Sequence, residues 1–448
     1  MDKLSSSSFL FALRNTVQYL PYLLFMIVSL TTDVSDLDKI LPFILYYCVK
    51  SSGIYLLKPL HTKNNTYRIL KISLLLGLIA CILGMFGDVQ HIFYEISAVL
   101  LGLCESFYIP SYISMLQYER SHDRQMQNKY EKLLGTILIL IFFVLCFTMM
   151  KAPNFIIFVY FSFLFLIPLL SISKYKSYKL EDHEYLSNVM YSKELSVFVV
   201  MLLLIIGLRV ARSFYIGDIF IIALVILCLI LLIISLFLYF KKPQLTLTFK
   251  MIYKILFVGA AINLVIYTGM LTAIVTYHSI EAIVLMYACY VIGSVLSEYY
   301  TIPFVNWLKG DKVNKVITLC LFGILLLNFP VLTGISMIAT TFMLFTLSKM
   351  SETTVYKHDG VPKDVRMVAK YKVQTFGGVI MQFIFTFTLL LIAHYNHESI
   401  NGILEGISLS NLNFNMFETT ISSKAVASVV LIIFGLTLIA YNKKTKSL

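Results

Sequence analysis

The residues best placed to do chemistry in this sequence are ionisable groups set inside long apolar runs. Leu100–Met115 reads LLGLCESFYIPSYISM and carries Glu105 near its middle. A carboxylate at that depth costs several kcal/mol unless it is paired, wetted or protonated, so it is a functional candidate by default. Its chemistry would be to gain and lose a proton, and the competing reading is a carboxylate locked in a buried pair. Arg14, in FALRNTVQYLPY, is the first partner to consider; it either pairs with Glu105 or reaches back to the headgroups. Lys50, three residues before Gly53, either lines a cavity or approaches Glu105. Glu298, in SEYYTIP, is the second half's best intramembrane carboxylate, or else an acid at headgroup level. Gln18, Tyr19, Tyr108, Gln374 and Gln382 accompany these charges and could orient a solute.

Covalent catalysis has no counterpart here. No phosphate-binding Gly-Lys-Ser/Thr loop, HExxH pair or nucleophile elbow is present, so no enzyme activity and no cofactor are expected. The seven cysteines all fall in apolar runs without CxxC or Cys/His spacing, and read as small buried hydrophobes, not metal ligands or disulfides.

The elements that hold these residues must lie in a bilayer. Of 448 residues, 59% are hydrophobic and 13% charged, against roughly 25% charged in soluble domains. The net charge of +12 does not signal nucleic acid, because the basic residues sit between apolar spans, where cytoplasmic loops collect Lys and Arg. The first apolar run, Ser8–Leu30, is too long for a signal-peptide core and is expected to be retained. Aromatic residues are abundant, with 29 Tyr and 34 Phe but one Trp. The Lys-, Ile- and Asn-rich usage points to a bacterial source.

Charged punctuation marks off fourteen spans: 9–30, 40–57, 69–87, 91–117, 133–150, 154–172, 196–214, 218–240, 251–276, 281–306, 316–329, 331–348, 373–394 and 425–441. With the N-terminus inside, most of the 36 Lys and Arg residues fall in cytoplasmic segments, and only Lys39, Lys151 and Lys424 fall outside. That alternation predicts an even number of spans in a cell membrane, with both termini cytoplasmic. Spans seven and eight meet at the turn Gly217-Asp218 and are flanked by basic linkers. The expected organisation is therefore a six-helix bundle over 1–172, a linker with an inserted two-helix hairpin over 173–250, and a second six-helix bundle over 251–448. The halves echo one another: Tyr46–Ile72 and Tyr290–Ile317 each hold a helical glycine, a proline near the cytoplasmic end and a short basic loop.

The Gly102-to-Pro110 spacing in a helix that ends before a charged loop resembles the fourth membrane helix of major facilitator superfamily transporters. Gln374-Thr375-Phe376-Gly377-Gly378-Val379 is similar to the start of a late helix in the fourteen-span branch of that superfamily, which includes proton-coupled drug exporters. Close packing at Gly102, Pro110, Gly377 and Gly378 goes with that resemblance. Three motif positions depart from it: the loop after span two keeps Gly53 and Arg68 without the intervening Asp and Gly, Ala98 stands where an Arg precedes the fourth-helix Gly, and Gly135 is followed by Thr136 instead of Pro. The resemblance implies an all-α polytopic protein of 6+6 helix bundles with two extra central helices. It also implies alternating access around a cavity, a small-molecule substrate with protons as the coupled species, the lipid bilayer as surroundings, no nucleic-acid partner, and action as a monomer. Export of lipophilic or amphipathic compounds is the leading functional expectation. A dedicated carrier of one metabolite or envelope precursor, or a non-transporting receptor on the same fold, are the alternatives.

Overall fold

The computed structural model describes residues 2–18, 20–31, 36–61, 65–122, 128–148, 154–172, 191–213, 226–234, 247–277, 279–361, 363–396 and 417–444. These residues are helical with short connections and include no strand. In chain order the helices are α1 (Asp2–Val17), α2 (Leu20–Thr31), α3 (Asp36–Gly53), α4 (Leu57–Leu60), α5 (Thr66–Gly84), α6 (Ile92–Ser121), α7 (Lys129–Thr148), α8 (Phe155–Ser171) and α9 (Tyr191–Ser213). They continue with α10 (Phe249–Thr272), α11 (Ile280–Trp307), α12 (Lys312–Leu326), α13 (Thr333–Tyr356), α14 (Lys363–Tyr395) and α15 (Phe417–Lys444). Among the described residues, nine helical segments are long and apolar enough to cross a membrane. The chain is an all-α polytopic membrane protein.

Helix starts follow local chemistry. Asn65, Ser279 and Asp311 each accept the main-chain N–H three residues on, at 2.9, 3.1 and 3.4 Å. Asn128 and Glu131 cap reciprocally: Glu131 N–H donates to Asn128 Oδ1 at 2.9 Å and Asn128 N–H to Glu131 Oε2 at 2.7 Å.

Several expected spans are redrawn. The first, 9–30, is two helices, because Pro21 lacks the N–H that a continuous helix would need there. The thirteenth begins at Lys363 instead of 373, directly after Pro362, and so takes in Lys370 and Lys372, which are buried. The fourteenth begins at Phe417, which moves Lys424 from an external loop into a helix and buries it. The twelfth runs to Tyr356 and takes in Lys349. The close division at Asn328-Phe329-Pro330 is real, with a 3-10 turn over Pro330–Leu332. Of the expected hairpin, α9 is seen, while Gly217-Asp218 and most of the eighth span lie outside the described residues.

Chain contacts group into two compact units. One comprises Met1–Ile206, Ile233–Leu245 and His358–Tyr371; the other comprises Gly207–Leu232, Thr246–Lys357 and Lys372–Leu448. In the first unit α6 packs on α3 and α5, and α8 packs on α5 and α1. In the second, α13 packs on α11 and α12, and α15 packs on α12 and α10. The same packing pattern is therefore built twice, in the same chain order, as in transporters made of internal repeats.

Candidate functional site

In the first unit α3 and α6 approach through glycine. A Cβ on Gly102 would meet the main chain at Tyr46 and Lys50, and one on Gly53 would meet the Ser106 hydroxyl at 2.5 Å. This contact brings Lys50 and Glu105 together, the second of the two alternatives that the sequence offered for Lys50. Pro110, inside α6, leaves the Ser106 carbonyl without its helical donor, a local cause of bending below Glu105.

Lys50 Nζ stands 2.8 Å from Glu105 Oε1. Tyr46 Oη donates to Glu105 Oε2, so each carboxylate oxygen has its own donor. The ammonium also donates to the main-chain carbonyl of Gln18 at 2.6 Å, a group at the break between α1 and α2. It lies 5.6 Å from the centre of the Tyr46 ring. The Glu105 side chain is 6% accessible and that of Lys50 is 23%, so the cluster meets its surroundings through the lysine. Removing either charge alone would leave the other enclosed and uncompensated.

The other expected residues disperse. Arg14 is buried in α1, and the cation at Glu105 is Lys50, where sequence reasoning ranked Arg14 first. Tyr108 is buried in α6, stacks on Tyr112 at 5.5 Å and donates to the Leu10 carbonyl at 3.3 Å. Tyr19 lies outside the described residues. Glu298, Gln374 and Gln382 all belong to the second unit. Glu298 pairs with Lys349 at 2.9 Å, joining α11 to α13. Gln382 Nε2 donates to Asn263 Oδ1 at 3.3 Å, while its Oε1 and that of Gln374 are buried without a hydrogen-bond partner. Gly377 and Gly378 let α14 lie directly on α10, the first against the Leu256 carbonyl and the second against the Asn263 amide.

Sequence reasoning missed Tyr46, Lys349 and Lys424. Lys349 and Lys424 each lie one residue beyond an apolar run and were read as loop charges. Tyr46 carried a findable signal, since it stands one helical turn before Lys50 on the same face.

No protein-family profile matches this sequence, and no curated protein matches it at a significant level. Solved structures do share its architecture. A peptide transporter POT, determined in complex with sulfate, matches with a TM-score of 0.59 at 14% identity, over 99% of this chain and 94% of its own. The human organic anion transporter MFSD10 (TETRAN) matches with a TM-score of 0.51 at 11% identity, over 98% and 97%. A bacterial homologue of the iron transporter ferroportin, in an outward-facing state, matches with a TM-score of 0.50 at 12% identity, over 97% and 98%. Taken with the twice-built packing of the helices, these likenesses give the chain the fold of the major facilitator transporters.

Proposed function

We propose that this protein is a secondary-active membrane transporter, not an enzyme, working by alternating access. In this reading Glu105 is the proton-coupling group, and small lipophilic or amphipathic compounds are exported. The observation that carries it is the Lys50–Glu105–Tyr46 cluster, a charged group set between two membrane helices and open to its surroundings through Lys50 alone. Protonating Glu105 removes the counter-charge from Lys50. The neutral carboxyl can still accept a hydrogen bond but no longer holds the ammonium by charge, so the lysine relies more on the Gln18 carbonyl, at the joint between α1 and α2. A proton on Glu105 thus changes what holds that joint, which is how a local charge event biases a two-state element.

A dedicated carrier is the second reading. It is favoured by the solved structures of this fold, which are described as transporters of peptides, of organic anions and, for a homologue, of iron. Fold alone does not choose between the two.

The test is reconstitution into proteoliposomes under an imposed pH gradient, against a panel of dyes and metabolites. Gradient-driven flux is expected from the wild type, and its loss from Glu105→Gln per unit of folded protein reconstituted. Wild-type flux from Glu105→Gln removes that residue as the carrier. Broad dye transport favours the exporter, one accepted metabolite favours the dedicated carrier, and no flux of any solute favours a receptor.

A further inference from the structure

Lys424 is enclosed in the second unit at 2% accessibility, and its ammonium donates to one group, Thr272 Oγ1, at 2.8 Å. Lys50, Lys58 and Lys349 each face a carboxylate, at 2.8, 3.1 and 2.9 Å. Lys424 meets none among the described residues. An ammonium has three N–H donors and no acceptor, so two of the three are unmet here. Thr272 cannot supply more. Its own hydroxyl proton goes to the Thr268 carbonyl at 2.8 Å, which leaves the oxygen only as the acceptor Lys424 already uses. One turn earlier on the same face of α10, the Thr268 hydroxyl is fully buried and has no hydrogen-bond partner. On α15 the neighbouring Ser423 hydroxyl is committed to the Thr419 carbonyl at 2.7 Å. Directly after Thr272 the helix widens into a π turn over Ala273–Tyr277, a local irregularity common at functional sites.

Buried donors without acceptors are costly, and native proteins retain them where something else satisfies them. We propose that Lys424, held by the Thr272 hydroxyl, forms with the Thr268 hydroxyl an anion site whose ligand is the carboxylate of an amphipathic organic acid. The ammonium supplies the charge and a second donor, and the Thr268 hydroxyl supplies another. Buried Leu264 and Leu271, four residues before and three after Thr268 on the same side of α10, give the site apolar surroundings suited to the rest of such a molecule. The proposal narrows the substrate class of the transport reading and rests on it, since an ammonium this enclosed can meet a solute only if the chain opens and closes around it.

Two measurements on the purified full chain test it without requiring flux. The first is the melting temperature of Lys424→Met in the absence of added organic acid. Deleting an uncompensated buried charge should raise it, whereas deleting a cation that neutralises an internal group should lower it. A lowered melting temperature, or a variant that fails to fold, overturns the proposal. The second is thermal stabilisation by sodium benzoate at constant ionic strength, with tetraethylammonium chloride as control. Benzoate should stabilise the wild type and Lys424→Arg in a saturable way. Its apparent affinity should fall about tenfold or more in Lys424→Gln, a loss of about 1.4 kcal/mol. Equal responses from wild type and Lys424→Gln, or no benzoate response from the wild type, overturn it. A Lys424-dependent benzoate response from a protein that moves no solute in proteoliposomes would remove the transport reading and leave the site standing.

Discussion

The two units carry corresponding ion pairs with the charges exchanged. In the first unit the cation is on α3 and the carboxylate on α6; in the second the carboxylate is on α11 and the cation on α13. Helix order and packing make α3 the counterpart of α11, and α6 that of α13. Glycine lets the helices approach in both: Gly102 and Gly53 in the first, and in the second Gly293, where a Cβ would press on Ile338 and Thr341. The surroundings differ. Glu105 takes a tyrosine hydroxyl besides its lysine, and that lysine also holds a carbonyl at a helix break. Lys349 donates to the Ser297 hydroxyl at 3.1 Å, next in sequence to its partner, on a helix that runs unbroken from Ile280 to Trp307. The helix-helix contact fixes that a pair forms. In the proposed mechanism, what the Lys50 ammonium holds besides its carboxylate is what passes a change of charge on.

The largest effect is expected from stranding a charge. Lys50→Met should destabilise the protein by about 3–5 kcal/mol, and Lys349→Met by a similar amount, because each leaves a carboxylate enclosed without its cation. Melting temperature and detergent-solubilised yield measure this. Lys50→Met combined with Glu105→Met should recover most of the loss. Simple additivity of the two would mean that they do not act as a pair.

A second effect separates the units. Tyr46→Phe removes a hydroxyl that donates to a carboxylate and should cost about 1.5–3 kcal/mol. Ser297→Ala also removes a hydrogen bond to a charged group, but a longer one at 3.1 Å, and should cost less, about 1.5 kcal/mol. Equal losses on thermal melting would erase the distinction drawn between the two environments. Smaller again is Gly102→Ala, whose new methyl meets main-chain atoms of Tyr46 and Lys50 at 2.8 and 3.0 Å. Overpacking of about 1–3 kcal/mol is partly offset by the roughly 1 kcal/mol that alanine gains over glycine within a helix. Wild-type melting behaviour in Gly102→Ala would show that the α3–α6 approach is looser than described.

The fold was legible because a membrane helix declares itself by length and apolarity, and because Lys and Arg mark the intervening loops. Legibility failed at helix ends, where helices outlast the apolar runs that signal them. Lys349 sits one residue beyond the expected end of its span at 348 and was assigned to a loop, yet it is the partner of Glu298. Lys424 sits one residue before an expected start at 425 and is buried. Glu105 could be read from the chain because it interrupts an apolar helix. Its partner was misranked, Arg14 ahead of Lys50, since both lie in spans that pack near α6. Only the register of α3 against α6, set by Gly53 and Gly102, selects Lys50. Charge type and depth are local properties of a sequence, whereas helix register is a tertiary one.

For two buried charges moved at once, a small change in stability is expected from exchanging the first unit's pair, Lys50→Glu with Glu105→Lys. The second unit already carries a carboxylate on the α3-equivalent helix and a cation on the α6-equivalent helix, so this packing tolerates that order of charge. The ion pair is kept and the Tyr46 hydroxyl can accept from a lysine at position 105, so the exchange should lose chiefly the Gln18 contact, about 1.5–3 kcal/mol, against about 3–5 kcal/mol for Lys50→Met. Gradient-driven flux should nonetheless be lost, because the lysine that links the acid to the Gln18 carbonyl has left α3: an ionised carboxyl at position 50 repels that carbonyl and a protonated one can donate to it, so a proton acts on the α1–α2 joint in the opposite sense. Flux retained in the exchanged protein would mean that any buried acid at this contact suffices for coupling. Instability comparable to Lys50→Met would mean that the two units, although they share a packing pattern, hold their charges by different rules.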